Sequence, residues 1–248
     1  MATMTAEMQR QATVQGRGTY PIRVAARLAH LDPQTARRWV EGYEYGYRGE
    51  RRQSAPISYL AKTRQAEGGL VLDFEQLLTL LLVKAFKAKG LGLPTIKRAA
   101  ARAQEVYGTP NPFVTKRFRS DGNHVFIDLE ANAKGREREL INVLSDQQEF
   151  REIVEPSLFR DLVFVGDEAG EWWPLGRDHT VVLAPARQFG APIIAGKGIR
   201  TDVLAQAVAA EGGSEEGLKA VADWYDLTPA QVRDAVQFEG AWQEKRAA

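Results

Sequence analysis

The chain contains no cysteine. Disulfides, thiolate metal sites, iron–sulfur clusters and a cysteine nucleophile are thereby excluded, and the composition agrees with a cytoplasmic location. Histidine is scarce: His30, His124 and His179 lie in separate segments, without the H-x-x-x-H spacing that places two ligands on one helix face. No cofactor is expected. Nor does any apolar run approach the roughly 18 residues of a membrane span. The longest, Leu77–Val83, is interrupted by Thr79 and closed by Lys84, so no membrane partner is expected. The polar first 18 residues lack the apolar stretch of a secretory leader and read as a mobile arm.

Net charge is also nearly missing, at +1 over 248 residues, but it is unevenly spread. Residues 1–119 carry 20 Lys/Arg against 9 Asp/Glu, whereas residues 120–248 carry 13 against 23. A basic half and an acidic half point to two kinds of partner. The basic half suits nucleic acid, because neutralising phosphates supplies most sequence-independent affinity.

Ile22, Ala25, Ala26 and Ala29 fall at helical spacing, followed by a turn at His30-Leu31. Asp32 then reads as an N-cap with Pro33 at the first helical position, opening a second helix that ends at Gly42. Two short helices about a tight turn form a helix-turn-helix signature. The alternating Tyr43, Tyr45 and Tyr47 with Gly46 and Gly49 predict a wing. Gln34, Thr35, Arg37 and Arg38 lie near the start of the second helix, where a recognition helix meets base edges. Arg23 and Arg27 on the first helix, with Arg48, Arg51 and Arg52 on the wing, are candidate phosphate contacts. A surface-charged helical hairpin that binds protein is the alternative. Helix-turn-helix proteins commonly read paired half-sites, so a homodimer is expected. The aliphatic segment Leu77–Phe86 is a candidate for its interface or for intradomain core.

Further on, Asp73 and Gln76 suggest a capping box opening a helix to Gly90, and Pro94 opens another to Gly108. The Asp121-Gly122 pair in Thr115–Glu130 reads as a β-hairpin turn. Residues 131–137 read as a linker, and one helix is expected over Arg138–Val154. Short strands follow around Leu162–Val165, Glu171–Leu175 and Val181–Ala184. Trp172-Trp173 is unusual there, because adjacent strand residues point to opposite faces. The last block predicts an extended segment near Pro192, a turn at Gly196–Gly198 and three helices: Thr201–Ala210, Ser214–Tyr225 and Pro229 to about Lys245. Leu204, Val208, Leu218, Val221, Trp224, Leu227, Val232, Val236 and Phe238 are its expected core. This block holds 7 Lys/Arg and 9 Asp/Glu, which favours a protein partner over DNA. Gly190…Gly196-Lys197-Gly198 departs from a P-loop in spacing and in lacking Ser/Thr after Lys. No catalytic constellation emerges, and the chain is not expected to be an enzyme.

Two resemblances sharpen this reading. The segment from Tyr20 to Tyr43, with Ile22, Ala26, Asp32-Pro33, Thr35, Arg37 and Trp39, resembles the N-terminal helix-turn-helix of MerR-type regulators. His30 stands where that family usually has glycine. The marks Gly190, Pro192, Ile194, Gly196, Gly198, Ile199, Tyr225, Leu227, Thr228 and Val232 resemble a small domain of antitoxins paired with PIN-type ribonuclease toxins. Together they resemble long antitoxins of the VapB type. That resemblance implies an antitoxin of a type II toxin–antitoxin pair, which binds operator DNA to repress its own operon. It also implies a PIN-type ribonuclease toxin as partner, whose carboxylate cluster a basic side chain would block. Arg187, Lys197, Arg200, Lys245 and Arg246 are the candidates. The alternatives are a MerR-like transcriptional regulator with a C-terminal small-molecule effector domain and, from another class, a nucleic-acid-processing enzyme.

The expected fold is α+β and mostly α. It comprises a winged helix-turn-helix module with a hairpin over 19–130, a middle helix and β section over 131–184, and a helix-turn-helix-like helical domain over 185–248.

Overall fold

Tyr20 and Pro21 form a two-residue strand, β1, whose partners are Leu72 and Val71 of β5 (Leu70–Leu72). This pairing anchors the start of the larger of two compact units, which spans Thr19–Arg160 and Phe164–Ala169. The other unit contains Asp161–Val163 and the described residues from Gly170 onward. The computed structural model describes residues 18–57, 63–64, 69–130, 133–156 and 159–243. The expected arm over 1–17 lies outside them, as do Lys245 and Arg246. The chain is α+β and mostly helical, with small antiparallel sheets.

In the larger unit, α1 (Ile22–Leu28) buries Ile22, Ala25, Ala26 and Leu28. Its end is a left-handed cap at His30, φ 51°. Leu31 N–H donates to Ala26 O at 2.8 Å and His30 N–H to Arg27 O at 2.9 Å, the double closure usually built on glycine. From α3 (Phe74–Ala88), the Lys84 ammonium donates to Ala29 O at 3.1 Å, a cation where the helix dipole is negative.

Helix α2 (Pro33–Glu41) starts as expected: Thr35 N–H donates to Asp32 Oδ2 at 2.8 Å, and Pro33 has no N–H to satisfy. It ends at Gly42, φ 77°, where a Cβ would lie 2.5 Å from Ser54 O. The close approach exists because the chain returns beside the helix, with Ile57 N–H on Trp39 O at 3.0 Å. Between these points β2 (Tyr43–Tyr47) and β3 (Glu50–Ser54) form an antiparallel ribbon. A further short strand, β4 (Thr63–Arg64), extends the β1–β5 pair.

The Asp73/Gln76 capping box of α3 forms with both bonds, 2.8 and 2.9 Å. Leu77, Leu78, Leu80, Leu82, Val83 and Phe86 are buried within the chain, so most of this segment is core rather than an open dimer face. Helix α4 (Leu93–Tyr107) ends at left-handed Gly108.

The expected hairpin over Thr115–Glu130 is instead two helices, α5 (Lys116–Asp121) and α6 (Asn123–Glu130). Phe118, Gly122, Val125 and Phe126 repeat at helical spacing and are buried. Gly122 has an ordinary helical φ of −61°. It is needed for room, since a Cβ would lie 2.4 Å from both Phe118 O and the Phe150 ring. The expected linker is partly helical, because α7 begins at Gly135. The single helix expected over Arg138–Val154 is broken into α7 (Gly135–Ser145) and α8 (Gln147–Val154). Asp146 causes the break by capping α8, accepting from Gln148 N–H and Glu149 N–H at 2.9 and 3.0 Å. Phe86, Phe113, Phe118, Phe126 and Phe150 form a continuous buried aromatic cluster, with neighbouring centroids 4.8–6.1 Å apart. Each such pair adds about 0.5–1.5 kcal/mol beyond area burial.

The strands β6 (Leu162–Val165), β7 (Glu168–Trp172), β8 (Val181–Leu183) and β9 (Pro192–Ile194) form a sheet in that order. Trp172 is buried, whereas Trp173 is half-buried with the Arg177 guanidinium 5.5 Å from its ring. In the smaller unit, α9 (Thr201–Ala210), α10 (Glu215–Trp224) and α11 (Pro229–Gln243) follow the predicted pattern. Asp234 of α11 accepts from Thr180 N–H and Thr180 Oγ1, both at 2.7 Å, and lies 2.8 Å from His179 Nδ1. Burial pushes its carboxyl up, but these hydrogen bonds outweigh burial and hold it below the ordinary range. The core is as expected with two corrections: Val236 is half-buried, with its neighbour Ala235 buried instead, and Trp224, the last residue of α10, is 62% exposed.

Candidate nucleic-acid interface

The exposed side of α2 presents Gln34, Arg37 and Arg38. Thr35 is half-buried, its N–H occupied by the Asp32 cap. Arg37 reaches Glu41 one turn on, at 3.4 Å. Such exposed pairs are weak and readily exchanged for a phosphate. Arg38 turns toward the ribbon, its guanidinium 5.8 Å from the Tyr43 ring. Arg23 and Arg27 are exposed on α1.

Strand register sorts the ribbon into two faces. Tyr43 pairs with Ser54, Tyr45 with Arg52 and Tyr47 with Glu50, which places the three tyrosines and Arg52 on one face. Arg51 pairs with Gly46 and lies on the other, so the adjacent arginines cannot act on one surface. The turn is Arg48-Gly49, with φ 51° and 83°, the two positive values of a type I′ hairpin. Arg48 and Arg52 lie 5.3 and 4.8 Å from the Tyr47 ring. Tyr45 and Tyr47 are 42% and 45% exposed. The ribbon therefore carries interleaved arginine and tyrosine, with the guanidiniums oriented by cation–π contact.

Its base is fixed from α4. The Lys97 ammonium donates to Ser54 Oγ at 2.8 Å and also to Ala55 O, and burial lowers its pKa. Burial raises the Tyr20 phenol, with the Asp73 charge adding to the effect.

In the smaller unit the candidate basic residues differ. Lys197 is held by Asp226 at 2.7 Å, and this hydrogen bond and charge lower the Asp226 carboxyl. Arg200 is held bidentately by Asp202, at 3.0 and 2.6 Å. Arg187 is exposed and has no carboxylate partner among the described residues. Among those residues no group of three His, Asp or Glu lies close enough to hold a metal ion. No described helix is long and apolar enough to cross a membrane.

No family model matches the chain. It is similar to a protein of Mycobacterium tuberculosis (strain ATCC 25618 / H37Rv) named "Putative antitoxin VapB45". The two are 29% identical over 231 residues, covering 88% of this chain and 92% of the relative. The fold also resembles the crystal structure of Rv2018 from Mycobacterium tuberculosis, with a TM-score of 0.67. That match covers 88% of this chain and 96% of the other, at 23% identity, and is a likeness of fold. An antitoxin relative thus aligns over most of both chains.

The arginines are legible in the sequence, but their partners are not. The alternation of Tyr43, Tyr45 and Tyr47 is a signal for one aromatic face, and strand parity separates Arg51 from Arg52. No pattern in the sequence announces that Arg38 stacks on Tyr43, since that depends on the angle at which the ribbon leaves α2.

Proposed function

We propose that this chain is a VapB-type antitoxin that neutralises a PIN-type ribonuclease toxin and represses its own operon. The observation that carries the reading is the antitoxin relative, whose alignment covers nearly the full length of both chains. The larger unit is the operator-binding part. Its α1–turn–α2 segment acts as a MerR-like helix-turn-helix, with Gln34, Thr35, Arg37 and Arg38 toward base edges. Arg23 and Arg27 meet phosphates from α1, as do Arg48 and Arg52 from the wing, and Arg51 serves a neighbouring strand from the opposite face. The protein acts as a dimer on paired half-sites, and its role is stoichiometric rather than catalytic. The smaller unit holds the toxin, consistent with its acidic balance of 7 Lys/Arg to 9 Asp/Glu over residues 185–248.

The test is a growth assay. The reading frame adjacent to this chain's gene is induced in a bacterial host, alone and together with this chain. Arrest by the neighbour alone and recovery on co-induction are expected. Arrest that this chain does not relieve contradicts the antitoxin role.

A further inference from the structure

The loop of the β8–β9 hairpin holds an unusual backbone conformation. Leu183 pairs with Pro192, so residues 184–191 close the hairpin. Three successive residues in it are left-handed: Gln188 at φ 45°, Phe189 at 54° and Gly190 at 81°. Two of them are not glycine, and such conformations persist only where the surroundings over-determine them. Here hydrogen bonds do so: Gly190 N–H donates to Arg187 O at 2.8 Å, and Ala191 N–H to Gln188 O at 3.0 Å. The strained backbone presents a phenyl ring that is 72% exposed. A lone exposed apolar side chain needs no explanation, but one held outward by a strained, locked loop does.

The charge of the sequence on either side of the ring is one-sided. Residues 184–200 contain Arg187, Lys197 and Arg200 and no Asp or Glu, within a block that is otherwise acidic. Lys197 and Arg200 each face a carboxylate, of Asp226 and Asp202, in exposed pairs. Arg187, two residues from the ring, is the exposed cation of this stretch without a carboxylate partner among the described residues.

We infer that Arg187 and Phe189 form a two-point anchor for the toxin. This rests on the antitoxin reading and adds the partner's chemistry: a folded protein with an apolar socket rimmed by carboxylates. The ring fills the socket and the guanidinium pairs with the rim. Aromatic and arginine anchors dominate protein interfaces, and a loop already fixed in its bound shape loses little entropy on docking. Lys197 and Arg200 are not part of the anchor.

The experiment titrates the purified product of the adjacent reading frame with the full chain, by calorimetry, alongside Phe189→Asn, Arg187→Glu and Lys197→Ala. Asparagine tolerates the left-handed region, so Phe189→Asn should melt at the wild-type temperature or above. Binding by Phe189→Asn and Arg187→Glu should weaken at least about 30-fold, and by Lys197→Ala less than about 3-fold. Wild-type binding with either anchor variant still within about 3-fold overturns the anchor and leaves the antitoxin reading standing. No wild-type binding overturns both. A lowered melting temperature for Phe189→Asn identifies the ring as structural and also overturns the anchor.

Discussion

The Arg38 guanidinium of α2 lies 5.8 Å from the ring of Tyr43, the first residue of the ribbon. The pair joins the exposed side of the helix to the aromatic face of the ribbon. Arg38, Tyr43, Tyr47 and Arg52 therefore present one surface, and they should be lost or retained together as a binding element.

Arg38→Ala and Arg52→Ala should each weaken binding to the DNA upstream of this gene about 10-fold or more at moderate salt. Where the lost contact is to phosphate, each should also reduce the slope of log affinity against log salt by about 1. Fluorescence anisotropy at several salt concentrations reads both. Circular dichroism should be unchanged, since both side chains are exposed.

Packing at Gly122 gives a second prediction. An alanine methyl there would lie 2.4 Å from Phe118 O and from the Phe150 ring. Gly122→Ala should lower stability by about 1–3 kcal/mol in urea unfolding. At Gly46 a methyl would meet no atom within 4 Å, so Gly46→Ala should fold normally.

Acid stability gives the third. The Asp234 carboxyl is held below its ordinary value in the folded chain by His179 and Thr180, despite burial. A depressed folded pKa stabilises the fold above the unfolded value, about 4. That contribution disappears as pH falls from there through the folded value. Asp234→Asn should therefore be less stable than wild type at neutral pH, and the difference should shrink as the solution is acidified below about pH 4. Urea unfolding across that range measures it. A difference independent of pH would show that the carboxylate charge is not responsible.

The fourth concerns Gly42. A Cβ there would meet Ser54 O at 2.5 Å on a backbone with φ 77°. Gly42→Ala should shift the ribbon relative to α2 and weaken DNA binding more than Gly46→Ala does, measured by the same anisotropy titration.

Local signals make much of the fold legible. Asp32-Pro33, Asp73 with Gln76, and Thr228 with Gln231 are caps whose bonds form within four residues, and each appears where expected. The three C-terminal helices follow from their apolar spacing. The hairpin expected over 115–130 fails because the turn propensity of Asp121-Gly122 is overridden. The spacing of Phe118, Gly122, Val125 and Phe126 favours helix, and the glycine answers a tertiary demand from Phe150. Asp146 breaks an expected helix for the opposite reason: its carboxylate satisfies the next helix's N–H groups locally. Hydrophobicity assigns Trp224 to the core, although its place on the helix leaves it exposed. Of the candidate site, the arginines are readable, but the carboxylates that occupy Lys197 and Arg200 depend on side-chain geometry.

The central claim is that this chain silences a ribonuclease. The most direct measurement is the ribonuclease activity of the purified adjacent gene product, titrated with this chain and followed by size-exclusion chromatography. A fixed-stoichiometry complex whose activity falls to background at the equivalence point is expected. Undiminished activity in the presence of excess folded chain, or no complex at all, would contradict it.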